Sequence, residues 1–288
     1  GGAGAITVAA AGAVDFGSLT FNTTGGAVSI TEDSATELTG TSTGDSLTLV
    51  SAGAVTDATN TDVTIDNGNA SITGTSISLG DQATDTLSVS GTASFDGGAG
   101  AITVAAAGAV NFGDLVFNTT GGAVSITEGS STTVSAASTA GAGLTLSSAD
   151  DVTLDDTVDV TGATSITAGT TANGHIDVNA KLTGTTTILL DAADEITIDA
   201  AIDPTTVTLE ADDDIDINAA VVATTLITIS AGQDGSGSAN INSGGMVTTT
   251  DAGSDIAITS GATSGAIVLA EDVTAVDRLT LTSNGTGV

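Results

Sequence analysis

The chain of 288 residues has almost no positive charge: 2 Lys or Arg stand against 35 Asp or Glu, for a formal net charge of −33. Such a chain cannot neutralise a phosphate backbone or an anionic lipid surface, which excludes nucleic-acid and membrane-surface partners. It has no Cys, Trp or Tyr, one Pro, one Met and five Phe. Without Cys there are no disulfides, thiolate metal sites or thiol nucleophiles. No apolar run approaches the ~18 residues that span a bilayer, so membrane insertion is excluded too. Low aromatic content and high net charge would fit a disordered chain. Yet 40% of the residues are hydrophobic and mean hydropathy is +0.36. The Ile, Val and Leu residues fall in short, evenly spaced clusters, which predicts an ordered chain with an aliphatic core.

Two repeats organise these clusters. The segment GGAGAITVAAAGAVDFGSLTFNTTGGAVSITE, residues 1–32, returns at 97–128 with three changes, Asp15 to Asn111, Ser18 to Asp114 and Thr20 to Val116. The 96-residue unit therefore covers 1–96 and, in part, 97–192. A shorter period lies in the C-terminal half. TTILLDAADEITIDAAIDP from Thr186 aligns with TTVTLEADDDIDINAAVVA from Thr205 at every apolar position. Ile188 matches Val207, Leu190 matches Leu209, Ile196 matches Ile215, Ile198 matches Ile217 and Ile202 matches Val221. Ile227 and Ile229 continue the series after one inserted residue, and Ile256/Ile258, Ile267/Leu269 and Leu279/Leu281 extend it.

Each slot alternates apolar and polar residues, as in Leu47-Thr48-Leu49 and Val63-Thr64-Ile65. That is the signature of a strand with one buried face. Turn formers separate the slots, and no helical periodicity is present. Three short strands per 19–28 residues predict an all-β parallel β-helix: one continuous β-solenoid over 1–288, with coils of about 19–22 residues from about 144 onward. At ~4.8 Å per coil, a dozen coils would extend on the order of 55–65 Å. The 96-residue unit would span about four coils. Tandem immunoglobulin-like sandwiches are the competing fold, since 96 residues would fit one. The 19-residue period is too short for a sandwich, and sandwich cores usually hold Trp or Tyr.

The phrases SLTLVSAGAV, GLTLSSADDVTL and TTTILLDAADEITIDAAI resemble the coil repeats of filamentous-haemagglutinin-type adhesins and other large repetitive bacterial surface proteins. The similarity of pattern runs over nearly the whole chain. It implies a right-handed parallel β-helix that is exported and displayed at the bacterial cell surface as a rod or fibre. It carries over no individual binding residue. The acidity and lack of Cys look more like giant acidic adhesins of type I secretion. Their calcium nonapeptide is not matched, because GGAGAITVA has Ile6 where that motif needs Asp. The expected function is that of a structural or adhesive surface protein, the stalk of a giant adhesin. The alternative is a subunit of an extracellular fibre or matrix. The chain starts at Gly1 and reads as a piece of something longer. Expected partners are its own copies or flanking repeats, end to end, and a host or neighbouring-cell surface.

The chemistry-bearing residues are mostly acidic. At the 19-residue offset Asp191 stacks on Glu210, Asp194 on Asp213 and Glu195 on Asp214, with Asp212 beside them. Like charges ~4.8 Å apart repel by ~1 kcal/mol even at water's dielectric. Ca²⁺ between coils would relieve this, so these six carboxylates are candidate calcium ligands. The competing reading is a solvated acidic turn that keeps molecules apart. DDDIDIN is not an EF-hand loop, because Ile217 stands where Gly is required. Paired carboxylates could serve a glycosidase, but the chain lacks the aromatic platforms of sugar clefts, and four of its Phe recur with the long repeat as core residues would. His175, Lys181 and Arg278 read as surface groups. No nucleophile triad, phosphate loop or cofactor motif is present, so the chain reads as a non-enzyme. Thr pairs at 186–187, 205–206 and 224–225 suggest an ice-binding face, but no Thr-x-Thr recurs on every coil.

Overall fold

A computed structural model describes residues 2–9, 13–105, 109–170 and 173–284. Among these the chain is all-β with no helix, and its parallel strands stack in about 12 coils, a β-solenoid. Two compact units divide it, Gly1–Ala142 and Gly143–Val288.

The second unit shows how sequence becomes coil. One longer strand, such as Thr187–Ala192, is followed by two short ones, Ile196–Ile198 and Ile202–Asp203. The next coil repeats the order as Thr206–Ala211, Ile215–Ile217 and Ala220–Ala223. The apolar positions align in the register read from the repeat. Ile188 pairs with Val207, Val207 with Ile227 and Ile227 with Ile256. Ile196 pairs with Ile215, and Ile202 with Val221. Among the described residues every strand pairing is parallel, which rules out the sandwich, and the ladder residues Ile188, Val207, Ile227, Ile196 and Ile215 are all 0% exposed. Burying each such side chain contributes about 1.5–3 kcal/mol, available only when a neighbouring coil covers it.

Coil length varies more than the expected 19–22 residues. That range fits the step from Thr187 to Thr206 and the step from Thr206 to Leu226. It fails where Thr164 pairs with Ile188 and where Leu226 pairs with Asp255. The extra residues lie in the turn before Ile176 in the first case, and in the turns before Ala239, Met246 and Asp255 in the second. A turn lengthens at little entropic cost, whereas a strand must hold its register. Gly237, with φ 134°, belongs to the long turn before Ala239.

In the first unit the 96-residue repeat does not superpose on itself after four coils. Four coils carry Val28 through Leu47, Ala70 and Ala93 to Leu115. The second copy of Ala27–Glu32 is the next strand on, Val124–Glu128, which lies in the other sheet. The copy is thus threaded one strand further round, yet it keeps its internal contacts. Ile6 pairs with Val28 as Ile102 pairs with Val124. Leu19 bridges Leu38 as Leu115 pairs with Val134. Phe21 and Phe117 each donate a backbone N–H to a serine hydroxyl, of Ser42 and Ser138. Where coils approach most closely, glycine is required: a Cβ on Gly122 would lie 1.9 Å from the Gly100 carbonyl oxygen. Phe21, Phe95, Phe112 and Phe117 are core residues, with Phe95 in register with Phe117 and tilted against Phe112 at 5.6 Å between centroids.

Candidate functional site

The six predicted carboxylates lie on adjacent coils as the offset requires. Asp191 and Glu210 are direct register partners on the outer face. Asp213 donates its backbone N–H to the Asp194 carbonyl at 2.9 Å, and Ile196 donates to the Asp214 carbonyl at 3.0 Å, which aligns Glu195 with Asp214. Burial raises the pKa of Asp191, and Asp212 adds to the rise. Burial also raises Glu195, with Asp216 and Asp214 adding to it while Thr197 and His175 oppose. Asp213 is raised by burial and then by Asp214, Asp194 and Asp234.

Several carboxylates in this region already have protein partners. Ser238 donates its backbone N–H to Asp214 Oδ1 at 2.6 Å. His175 Nε2 lies 3.6 Å from Asp194 Oδ2. Asparagine separates charges at the turn beside them. Asn179 Nδ2 donates to Asp155 at 2.9 Å and Asn218 Nδ2 to Asp199 at 2.7 Å. Along the next column Asn240 donates to Asp216 at 2.8 Å. The stacked column therefore runs Asp155, Asn179, Asp199, Asn218, Asn242, and no two carboxylates in it are adjacent. This alternation went unread in the sequence, although the residues following each Leu154, Val178, Ile198, Ile217 and Ile241 spell it out.

Carboxylate oxygens converge elsewhere, in the first unit. Asp57, Asp81 and Asp85 bring ligand atoms within 4.8 Å of one another, a set that could hold a metal ion. Asp57 ends the strand Val55–Asp57, and coil stacking sets it beside the turn after Ile77–Leu79. Gly80 donates its N–H to Asp57 Oδ2 at 2.7 Å, while Asp57 Oδ1 is buried without a hydrogen-bond partner. Asp85, 1% exposed, accepts from the N–H groups of Thr61 at 3.0 Å and Gln82 at 2.9 Å. The Gln82 side chain donates to Asp81 at 3.0 Å. Burial, then the charges of Asp85 and Asp81, push the Asp57 pKa up to about 6 against the pull of the Gly80 N–H. Oxygen-only ligands of this kind suit a hard cation such as Ca²⁺. The sequence reading missed this set because Asp57 meets the other two only through stacking at a step that is not 19 residues.

A second feature missed in the sequence is a buried glutamate in each repeat copy. Glu32 and Glu128 are each 2% exposed. Glu32 accepts from the Phe16 N–H at 2.8 Å, from Ser34 at 2.9 Å and from the Thr36 hydroxyl. Glu128 accepts from the Phe112 N–H at 2.7 Å, Ser130 at 3.1 Å and Thr132 at 2.7 Å. Burial raises the pKa of Glu128 against these three bonds. The spacing Glu-x-Ser-x-Thr at a strand end was the available signal.

The threonine pairs hydrogen-bond between coils. Thr205 donates its hydroxyl to the Thr185 carbonyl at 2.9 Å, and Thr225 to the Thr205 carbonyl at 3.1 Å. No family model matches the chain, and no curated protein or solved structure is significantly similar to it.

Proposed function

We propose that the chain is a structural segment of an exported bacterial surface protein, the stalk of a large repetitive adhesin, and not an enzyme. The observation that carries this reading is the duplicated 32-residue segment. Its copies keep their strand pairings, their buried glutamate and their Phe–Ser contacts although they occupy different strand positions. A protein whose parts fold alike wherever they are inserted can lengthen by copying, which suits a spacer. Catalysis would instead tie particular residues to one place. The strong negative charge keeps neighbouring stalks apart.

A subunit of an extracellular fibre would share these properties. The two differ in covalent continuity. Antibody labelling of intact, unpermeabilised cells should detect the chain on the outside. Denaturing electrophoresis of shaved surface material should then place its epitope in one very large polypeptide. An epitope confined to the cytoplasm sinks the reading, and release as a small subunit from heat-dissociated fibres favours the fibre. Calcium enters this reading as a staple between coils, at Asp191, Asp194, Glu195, Glu210, Asp213 and Asp214 or at the convergent Asp57, Asp81 and Asp85.

A further inference from the structure

We infer that Asn22, Asn69 and Asn118 are acceptors for N-linked sugar. Each opens an Asn-x-Ser/Thr triplet: Asn22-Thr23-Thr24, Asn69-Ala70-Ser71 and Asn118-Thr119-Thr120. In a chain so rich in Ser and Thr the triplet arises often by chance, so the motif alone decides nothing. Side-chain geometry does. All three asparagines are exposed. In each, the protein holds the carboxamide by its oxygen. Thr43 donates its hydroxyl to Asn22 Oδ1 at 3.1 Å, and Thr139 does the same to Asn118 Oδ1. The Thr92 backbone N–H donates to Asn69 Oδ1 at 3.0 Å. Among the described residues nothing accepts from the Nδ2 of these three, so an oriented amide nitrogen is left to solvent.

Five of the eight asparagines outside the motif are turned the other way. Asn67 donates its amide to Asp45 at 3.1 Å, and Asn179, Asn218, Asn240 and Asn242 donate theirs to carboxylates or to a neighbouring amide. A fourth triplet, from Asn284, extends beyond the described residues and is left aside. The contrast matters because the sugar is carried on Nδ2. A glycosyltransferase using a phosphate-activated sugar would join Nδ2 to the anomeric carbon. The anomeric C–O bond to phosphate breaks with its electron pair, and the Nδ2 proton passes to the departing phosphate or an enzyme base. The carbonyl oxygen stays on its Thr43, Thr92 or Thr139 donor, so attachment breaks no bond of the solenoid. Asn22 and Asn118 hold equivalent places in the two repeat copies, so duplication copied the acceptor with the coil.

The inference rests on the surface-display reading, since sugar transfer of this kind marks displayed proteins. Two measurements separate their failures. Glycopeptide mass spectrometry of the chain from its native cells should find sugar at Asn22, Asn69 and Asn118. It should be lost singly in Thr24→Ala, Ser71→Ala and Thr120→Ala. Bare asparagines on a chain that antibodies detect at the cell surface overturn the inference and leave the display reading standing. In the second measurement, the folded and the heat-unfolded chain are each given UDP-glucose and a soluble asparagine glucosyltransferase. Equal labelling of both at the three sites supports the acceptor geometry wherever the cell keeps the protein. Labelling of the unfolded chain alone overturns it.

Discussion

A single hydroxyl shows how strictly the lumen selects its contents. Thr164 stands in an inward ladder between Leu144 and Ile188, and its Oγ1 is buried without a hydrogen-bond partner. Thr164→Val keeps the shape and removes the orphaned group, so it should stabilise the fold by about 1–2 kcal/mol. The check is a higher denaturation midpoint at unchanged m-value. Glu128 tests the opposite case, a buried polar group with partners. Its folded pKa is raised above the ordinary value of 4.5. The folded chain therefore holds this proton more tightly than the unfolded chain. The stability it contributes is complete below about pH 4.5 and is lost as pH rises through the folded value. Acidification from neutrality toward pH 4.5 should strengthen the fold, and Glu128→Gln should flatten that part of a melting-temperature profile. A profile unchanged by the substitution would assign the pH response to other carboxylates.

At the scale of the strand, alternation decides the outcome of a substitution. Val207 is wholly buried between Ile188 and Ile227, while its neighbour Thr208 faces outward between Leu189 and Thr228. Val207→Asp should cost upwards of about 3 kcal/mol, because a charge enters a dry lumen unpaired. Thr208→Asp, one residue on, should stay within about 0.5 kcal/mol. Equal losses in urea titrations of the two would contradict the face assignment. Deleting residues 187–205 removes one coil and brings Thr206 to the place of Thr187. The shortened chain should keep its β circular dichroism and a cooperative melt. A noncooperative transition would show that this coil is not interchangeable. These ladders were legible because Ile, Val and Leu recur at a fixed offset and the lumen accepts little else. What the sequence hid follows a different rule. Strand count, not residue count, sets where a repeat copy lands, so 96 residues looked like four coils while the copy moved one strand further. The Asp57, Asp81 and Asp85 set was hidden by the variable turns, which shift stacking partners without changing the apolar pattern. The predicted pairs Asp191/Glu210 and Asp194/Asp213 were legible because their coils are joined by the regular 19-residue step.

For the whole molecule the governing quantity is a charge of −33 with two basic residues to offset it. Arg278 lies 2.5 Å from Asp255, so one of the two cations is already engaged. With a dissociation constant of about 0.1–1 mM, 1 mM Ca²⁺ bound only to the folded state would add about 0.4–1.4 kcal/mol. That is a rise of a few degrees in melting temperature, at about 2–4 °C per kcal/mol. Sodium chloride at matched ionic strength should give less, and chelator should reverse the gain. Asp194→Asn with Asp213→Asn should remove the gain if the stacked turns bind, and Asp57→Asn with Asp81→Asn if the convergent set does. A response that survives both pairs, or that sodium reproduces in full, leaves the carboxylates simply solvated. The one-strand offset of the duplicated segment carries a consequence for growth by copying. Each added copy advances by one third of a turn, so the segment is out of phase with its predecessor and returns to its starting face only at the fourth copy. Whatever the segment bears, the exposed amide of Asn22 and Asn118 included, is dealt in rotation to all three sides, as a thread cut at a fractional pitch never lets one mark line up with the next.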